Sequence, residues 1–227
     1  MEATINTYRS ASAINTSMAS VYKHTGLAIL VSMLVSYFVG TSPELLQFFF
    51  TGITKWIVIF APLVAVIGIS IALNANPPKS IAQLMLYGFA ALMGLSFSTI
   101  FAVYQMGSIF TAFMGAAVLF GVMSIYGYFT KTSLDSIGKF MFVGLIAVVI
   151  ASIINIFIGS SVFAMVISAL AIIVFLGLTA YDTQKIREMV SYERDTGSLE
   201  VQGALTLYLD FINIFLSLLQ LFGGKKE

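Results

Sequence analysis

Two aspartates near the C-terminal end of the chain stand in apolar sequence, where an ionised carboxylate is costly to hold. Asp210 follows ALTLYL and precedes FINIFLSLLQLF, and Asp182 ends the apolar run IVFLGLTAY. The other eight of the ten acidic residues fall in tails, loops or helix ends. Neutral polar residues are sufficient for helix packing, so an acid at the position of Asp210 favours a functional role.

The spacing of the two aspartates places them at similar depth in a helical hairpin. The midpoint between 182 and 210 is residue 196, within ERDTG at 193–197, the most turn-like part of that connection. Two neighbouring carboxylates at low dielectric must share a proton or bind a cation, and they titrate as a pair. Oxygen ligands without His or Cys suit a proton, Ca²⁺ or another hard cation. A sensor and a permeation site would both use this chemistry.

The polar residues around Asp210 form one stripe of the last helix. Thr206, Asp210, Asn213, Ser217 and Gln220 are spaced four, three, four and three residues apart. Such a stripe turns toward the bundle interior or a wet cavity, because lipid would leave each polar group unpaired. Hydrogen bonding between helices is the simpler role for Thr206, Ser217 and Gln220. The candidate polar residues that line or support a pore are Thr206, Asn213, Ser217 and, from the fifth span, Asn155.

The composition predicts an integral membrane protein. The 227 residues are 59% hydrophobic and 9% charged, with a mean hydropathy of +0.99. A soluble domain of this size cannot bury so much apolar surface. A net charge of +1 argues against nucleic acid as a partner, and the absence of cysteine excludes thiolate chemistry.

Seven apolar stretches are long enough to cross the hydrocarbon core as helices. They are predicted near 24–41, 53–73, 81–104, 108–129, 138–158, 162–184 and 201–222. The fold class is therefore all-α, a polytopic bundle of seven transmembrane helices spanning 24–222. A polar N-terminal tail of residues 1–23 precedes the bundle, and a short tail of 223–227 follows it. The single histidine, His24, is explained by an interfacial position at the start of the first span.

The positions of Lys and Arg predict the orientation. Eight of the eleven lie in the N-terminal tail and the second, fourth and sixth loops. The positive-inside rule then places the N-terminus in the cytoplasm and, with seven spans, the C-terminus outside.

On the third predicted span, Ala90, Gly94 and Ser98 are spaced four apart, which favours close approach of a neighbouring helix.

Two segments of the chain resemble the last two helices of the Bax inhibitor-1 family, in its bacterial branch: LTAYDTQKIREMV (178–190) and ALTLYLDFINIFLSLLQLFG (204–223). SIAQLMLYGFAALMGLSFSTIF (80–101) is similar to the family's third helix. The resemblance implies a bundle of seven helices with the last one at its centre, and Asp182 and Asp210 as a pH-sensitive latch for calcium leak. Some members pair this latch with a basic residue on the second helix; residues 56–73 contain none here.

The leading functional hypothesis is a non-enzymatic, pH-sensitive calcium or cation leak channel of a bacterial inner membrane. Asp182 and Asp210 would be its sensor and gate, with transient Ca²⁺ binding and no resident cofactor. Its partners would be the lipid bilayer, calcium ions and protons.

An interaction protein that modulates a membrane-bound protease or stress response is the main alternative, with residues 1–23 as its handle. A proton-coupled transporter is a further one, although no inverted repeat is evident. An intramembrane serine protease is disfavoured because the chain has no suitably placed His. A retinal protein is disfavoured because the last helix contains no Lys.

Overall fold

A computed structural model describes residues 9–193 and 197–226, and in these ranges the chain is helical with no strand. Seven helical spans are long and apolar enough to cross a membrane. Both findings confirm an all-α polytopic membrane protein. The helices are α1 (Ala11–Gly40), α2 (Pro43–Phe50), α3 (Thr54–Asn74), α4 (Lys79–Phe97), α5 (Thr99–Val103), α6 (Met106–Phe129), α7 (Asp135–Ile158), α8 (Ser161–Tyr192) and α9 (Gly197–Phe222).

The last helix, α9, is the centre of the bundle. It packs against α1, α3, α4, α6 and α8, and its side chains are buried on almost every face. Leu207, Tyr208 and Ile214 are each 0% exposed. A helix that is apolar around most of its circumference satisfies its packing only inside other helices. By contrast, α7 packs mainly on α8, and Gly138 is its one buried residue among those described.

The first helix begins much earlier than the sequence predicted. Ser10 caps it by accepting a hydrogen bond from the N–H of Ala13, and residues 11–23, assigned to a polar tail, are helical. Met18 and Val21 are 2% and 0% exposed. Hydropathy placed the start of the helix too late because Ser, Thr and Asn are abundant in its first turns and mask the few buried apolar residues. The bundle therefore extends beyond the predicted 24–222 domain.

Three further boundaries differ from the predicted spans. The short α2 lies between the first two spans, where a loop was expected. The third span is broken at Ser98, between α4 and α5. The sixth span continues to Tyr192 rather than ending near 184, because its last turns still bury Ile186 and Val190. The predicted turn at ERDTG lies mostly outside the described residues, which omit 194–196.

The predicted C-terminal tail is attached to the start of α6. The N–H of Lys226 donates to the Val103 carbonyl at 2.9 Å, and the N–H of Gln105 donates to the Gly224 carbonyl at 3.0 Å. The ammonium of Lys226 also donates to the Phe101 carbonyl at 2.7 Å. These contacts satisfy backbone groups at the end of α5, so the tail closes this end of the bundle.

Candidate functional site

Asp182 and Asp210 face each other across the contact between α8 and α9. Their carboxyl groups lie within hydrogen-bonding reach of one another. Asp210 stands near the middle of α9 and is 4% exposed, while Asp182 is half-buried on α8. The structure thus brings together the two aspartates that the hairpin spacing placed at one depth.

The surroundings of Asp210 supply fewer donors than a carboxylate needs. The Thr179 hydroxyl reaches its carboxyl group, but this hydroxyl also donates to the Phe175 carbonyl at 2.7 Å. Oδ2 of Asp210 has no hydrogen-bond partner in the described part of the chain. A single proton shared between Asp182 and Asp210 would provide the missing hydrogen bond and remove one of two adjacent negative charges.

The pair alone offers fewer oxygen ligands than Ca²⁺ takes. Ca²⁺ takes about six to eight oxygen ligands. Asp182, Asp210 and Thr179 offer at most five side-chain oxygens, and within the described ranges no third acidic or histidine side chain completes a metal-binding group. A cation at these carboxylates would keep part of its hydration shell.

The other polar residues predicted to line a pore are distributed over the bundle. Asn213 and Ser217 border a cavity of about 330 Å³ between α7, α8 and α9, together with the exposed Gln220. The Thr206 hydroxyl donates to the Gln202 carbonyl at 3.2 Å, within its own helix. Asn155 lies at the end of α7, where its side-chain oxygen accepts from the N–H of Ser160 at 3.2 Å. The structure therefore gives Asn155 a contact in the turn between α7 and α8, apart from the aspartate pair.

A buried cluster of hydroxyl groups beside the aspartates was missed in the sequence. Tyr22 of α1 extends its hydroxyl toward Ser124 of α6 and Thr183 of α8. Thr183 follows Asp182 directly in the chain. Single Ser, Thr and Tyr residues are common in membrane helices, so only the three-helix packing distinguishes this group.

A second polar cluster joins α1, α4 and α9. His24 is 5% exposed, and its Nδ1 shares a hydrogen bond of 2.6 Å with the Tyr87 hydroxyl. Its Nε2 lies 3.2 Å from Nε2 of Gln83. Lys79 forms an ion pair of 2.7 Å with Glu200, whose side chain is 8% exposed. The interfacial interpretation of His24 was incomplete, because α1 starts thirteen residues before it and buries the ring among these helices.

The basic residue that follows the C-terminal end of the second span contacts an acid other than the aspartates. Lys79 opens α4 and pairs with Glu200, ten residues before Asp210 on α9. At a rise of 1.5 Å per residue, this separation is about 15 Å along the helix. The chain therefore holds a cationic partner near the start of α9 and an acidic pair near its middle.

The cavity between α1, α5, α6 and α9 has little capacity to bind an ion. Its volume is about 370 Å³, and its walls are formed mostly by aliphatic and aromatic side chains, Phe113 and Phe211 among them. Ser32 lines it, but its hydroxyl donates to the Ala90 carbonyl at 2.6 Å and shares a hydrogen bond with Tyr208.

Comparison with known proteins decides the family. A family model described as inhibitor of apoptosis-promoting Bax1 matches residues 14–227. The chain belongs to the Bax inhibitor-1 family. The match covers the aspartate pair, both polar clusters and nearly all of the helical bundle.

Bacterial relatives of this Bax inhibitor-1 family member match over most of their length. The inner membrane protein YbhL of Escherichia coli K12 is 38% identical over 94% of this chain and 93% of its own. An uncharacterised protein of Rickettsia prowazekii is 36% identical over 92% of this chain and 90% of its own. An uncharacterised membrane protein of Streptococcus pyogenes serotype M3 is 36% identical over 92% and 93% respectively. The shared length indicates a common bundle rather than a shared segment.

Proposed function

We propose that this protein is a pH-sensitive leak channel for Ca²⁺ or a similar cation in a bacterial inner membrane. The observation that carries the proposal is the contact between Asp182 and Asp210 in the interior of the bundle. Gain or loss of the shared proton changes the charge of the pair by one unit. This change alters both the packing of α8 against α9 and the attraction of the site for a cation.

The desolvation cost of holding two acids inside a membrane bundle supports a role in transport. A neutral side chain at position 210 would pack in the same helix contact without the desolvation cost of an acid. Paired acids also retain water more readily than an apolar contact, since their oxygens need donors. The inner-membrane location rests on the membrane-spanning helices and on the name of the Escherichia coli relative.

The test is Ca²⁺ flux into liposomes that contain the purified protein, measured between about pH 6 and pH 8. Asp182→Asn and Asp210→Asn each place a permanent N–H donor against the remaining carboxyl group, so the pair no longer needs a shared proton. We expect wild-type flux to change with pH and each variant to lose most of that change.

Asp135→Asn is the matched control, because Asp135 is an exposed acid at the start of α7. It should keep the wild-type pH profile. Flux whose pH dependence survives both substitutions at 182 and 210 would contradict the proposal. Flux that saturates with Ca²⁺ concentration and requires a proton gradient would instead support a proton-coupled transporter.

The alternative role, that of an interaction protein, requires an N-terminal segment that a partner can reach. Its proposed handle, residues 1–23, includes the first thirteen residues of α1, among which Ser17, Met18 and Val21 are buried. Arg9 also ties the start of this region to α8 by donating to the Val190 carbonyl at 3.0 Å. Because part of residues 9–23 is held by the bundle, the structure supports the channel more than the interaction protein.

A further inference from the structure

Three helices bring hydroxyl groups together at a point where the protein gives them too few partners. Ser124 of α6 and Thr183 of α8 are 4% and 0% exposed. Neither Ser124 Oγ nor Thr183 Oγ1 has a hydrogen-bond partner among the residues that the structure describes. The Tyr22 hydroxyl of α1 lies near both oxygens. The Tyr22 hydroxyl therefore approaches both oxygens, but neither forms a direct hydrogen bond of normal geometry.

Such an arrangement is unfavourable when dry. A buried hydroxyl left without a partner has lost its hydrogen bonds to water and gained none in their place. Polar groups that are close but not bonded are often bridged by an ordered water molecule, which needs two to four polar partners. Tyr22, Ser124 and Thr183 supply three, and water would satisfy all of them at once.

The site has an access route. Tyr22 and Ser124 also line a groove of about 430 Å³ between α1 and α6. Tyr128 is the other titratable residue that lines this groove, and Arg187 of α8 stacks on its ring at 4.9 Å. No Asp, Glu, His or Lys is among the groove's described lining residues. A proton that arrives here meets no carboxylate before Asp182.

The other side of the site adjoins the aspartates. Asp182 and Thr183 lie three and four residues after Thr179 on α8, so each is a neighbour of Thr179 on the helix surface. Thr179 reaches Asp210, and Thr183 reaches Tyr22. One stripe of α8 thus runs from the hydroxyl cluster to the aspartate pair.

We infer that Tyr22, Ser124 and Thr183 form a hydration site through which protons pass between the α1–α6 groove and the aspartate pair. Its ligand is water. A proton moves from groove water to the bound water, and a proton from that water moves to a carboxylate oxygen, so only O–H bonds are exchanged. Its role in delivering protons rests on the proposed function of Asp182 and Asp210, whereas water binding itself does not.

Water binding is tested by a double-mutant cycle on stability with Ser124→Ala and Thr183→Val. If both hydroxyls bind one water, each single substitution should raise the unfolding equilibrium constant about fivefold, as for loss of one net hydrogen bond. The double substitution should raise it by much less than the product of the two effects, because the water is lost only once. Unchanged or increased stability in both single variants would show two unpaired hydroxyls and overturn the hydration site.

Ser70→Ala is the control for this cycle. Ser70 is exposed on α3, and its hydroxyl donates to the Val66 carbonyl of its own helix at 2.7 Å. The effects of Ser70→Ala and Thr183→Val on the free energy of unfolding should add, with no coupling energy between them. Coupling as large as that of the Ser124 pair would contradict a specific shared water.

Proton delivery is tested with Tyr22→Phe, which removes one hydroxyl and keeps the ring. Infrared difference spectra after a pH jump report protonation of the carboxyl groups without requiring Ca²⁺ flux. We expect the carboxyl signal to reach the wild-type amplitude at a rate at least about tenfold slower, a change of roughly 1.4 kcal/mol in barrier height. A wild-type rate would overturn the relay. Loss of Ca²⁺ flux regulation with a normal infrared response would instead count against the proposed channel.

Discussion

At the scale of single residues, α9 holds two buried acids that are compensated in different ways. Asp210 faces a second carboxyl group, so a proton or cation must balance the site. Glu200 faces the ammonium of Lys79, so its charge is balanced by the protein. The charge of Asp210 is thus balanced from outside the protein, whereas the ion pair of Glu200 with Lys79 is a fixed link between α4 and α9.

Removal of Lys79 should destabilise the bundle. Lys79→Met leaves the carboxylate of Glu200, 8% exposed, without its ion-pair cation. Breaking a fully buried ion pair costs about 3–5 kcal/mol. Because the Lys79 side chain is 44% exposed, we expect a loss of about 2 kcal/mol in the free energy of unfolding. Unfolding in mixed micelles with a denaturing detergent measures it.

Two comparisons make this prediction specific. The double variant Lys79→Met with Glu200→Leu should recover most of the loss, because both charges are then gone. Lys185→Met removes an ion pair with Glu188 whose side chains are 40% and 52% exposed, and it should cost under about 0.5 kcal/mol. Equal losses in the Lys79 and Lys185 variants would contradict the fixed link.

The aspartate pair could be predicted from the sequence, but the polar clusters around it could not, for a physical reason. An acid in an apolar run is conspicuous, and hairpin symmetry relates Asp182 to Asp210 without knowledge of any other helix. His24 and Tyr22 lie on α1, whereas their partners lie on α4, α6 and α8. Their significance depends on which faces of distant helices meet, and one sequence does not contain that information.

At the scale of helices, close approach between α1 and α4 depends on small residues. A Cβ built on Gly94 would lie 2.5 Å from the Ser32 carbonyl oxygen and 2.9 Å from its Cα. This contact is at the position where the spacing of Ala90, Gly94 and Ser98 favoured close approach. Ala90 also contributes, since its carbonyl accepts from the Ser32 hydroxyl.

Gly94→Ala should therefore separate α1 from α4 and destabilise the protein. Overpacking of this kind typically costs about 1–3 kcal/mol. Gly88→Ala is the control on the same helix, because a Cβ there meets nothing within 4 Å. It should be neutral or stabilising by up to about 1 kcal/mol, as the backbone loses freedom in the unfolded chain. If thermal unfolding shows the same shift for both variants, the close contact at Gly94 does not constrain the bundle.

Helix number followed from hydropathy, but helix ends did not. Seven spans were predicted and seven are present in the described residues. The start of α1 was missed because burial of Met18 and Val21 depends on neighbouring helices, while hydropathy averages them with exposed polar residues. The same applies to α8, whose amphipathic end still packs on the bundle at Ile186.

At the scale of the whole molecule, the central position of α9 gives the aspartate pair its context. Five other helices surround α9, so a change at Asp210 acts on the packing of the entire bundle. The clusters at Glu200 and Asp210 occupy successive levels of this one helix. Which membrane face each level approaches depends on the orientation of the bundle.

The orientation can be tested directly because the chain contains no cysteine. Thr51→Cys and Thr132→Cys place single thiols at exposed positions, one between α2 and α3 and one between α6 and α7. The excess of Lys and Arg in the even-numbered loops places residue 132 in the cytoplasm and residue 51 outside. A membrane-impermeant maleimide should label intact cells at position 51, and at position 132 only after permeabilisation. The reverse pattern would invert the bundle, and the end of α9 that carries Glu200 would then face outward together with Lys79 of α4.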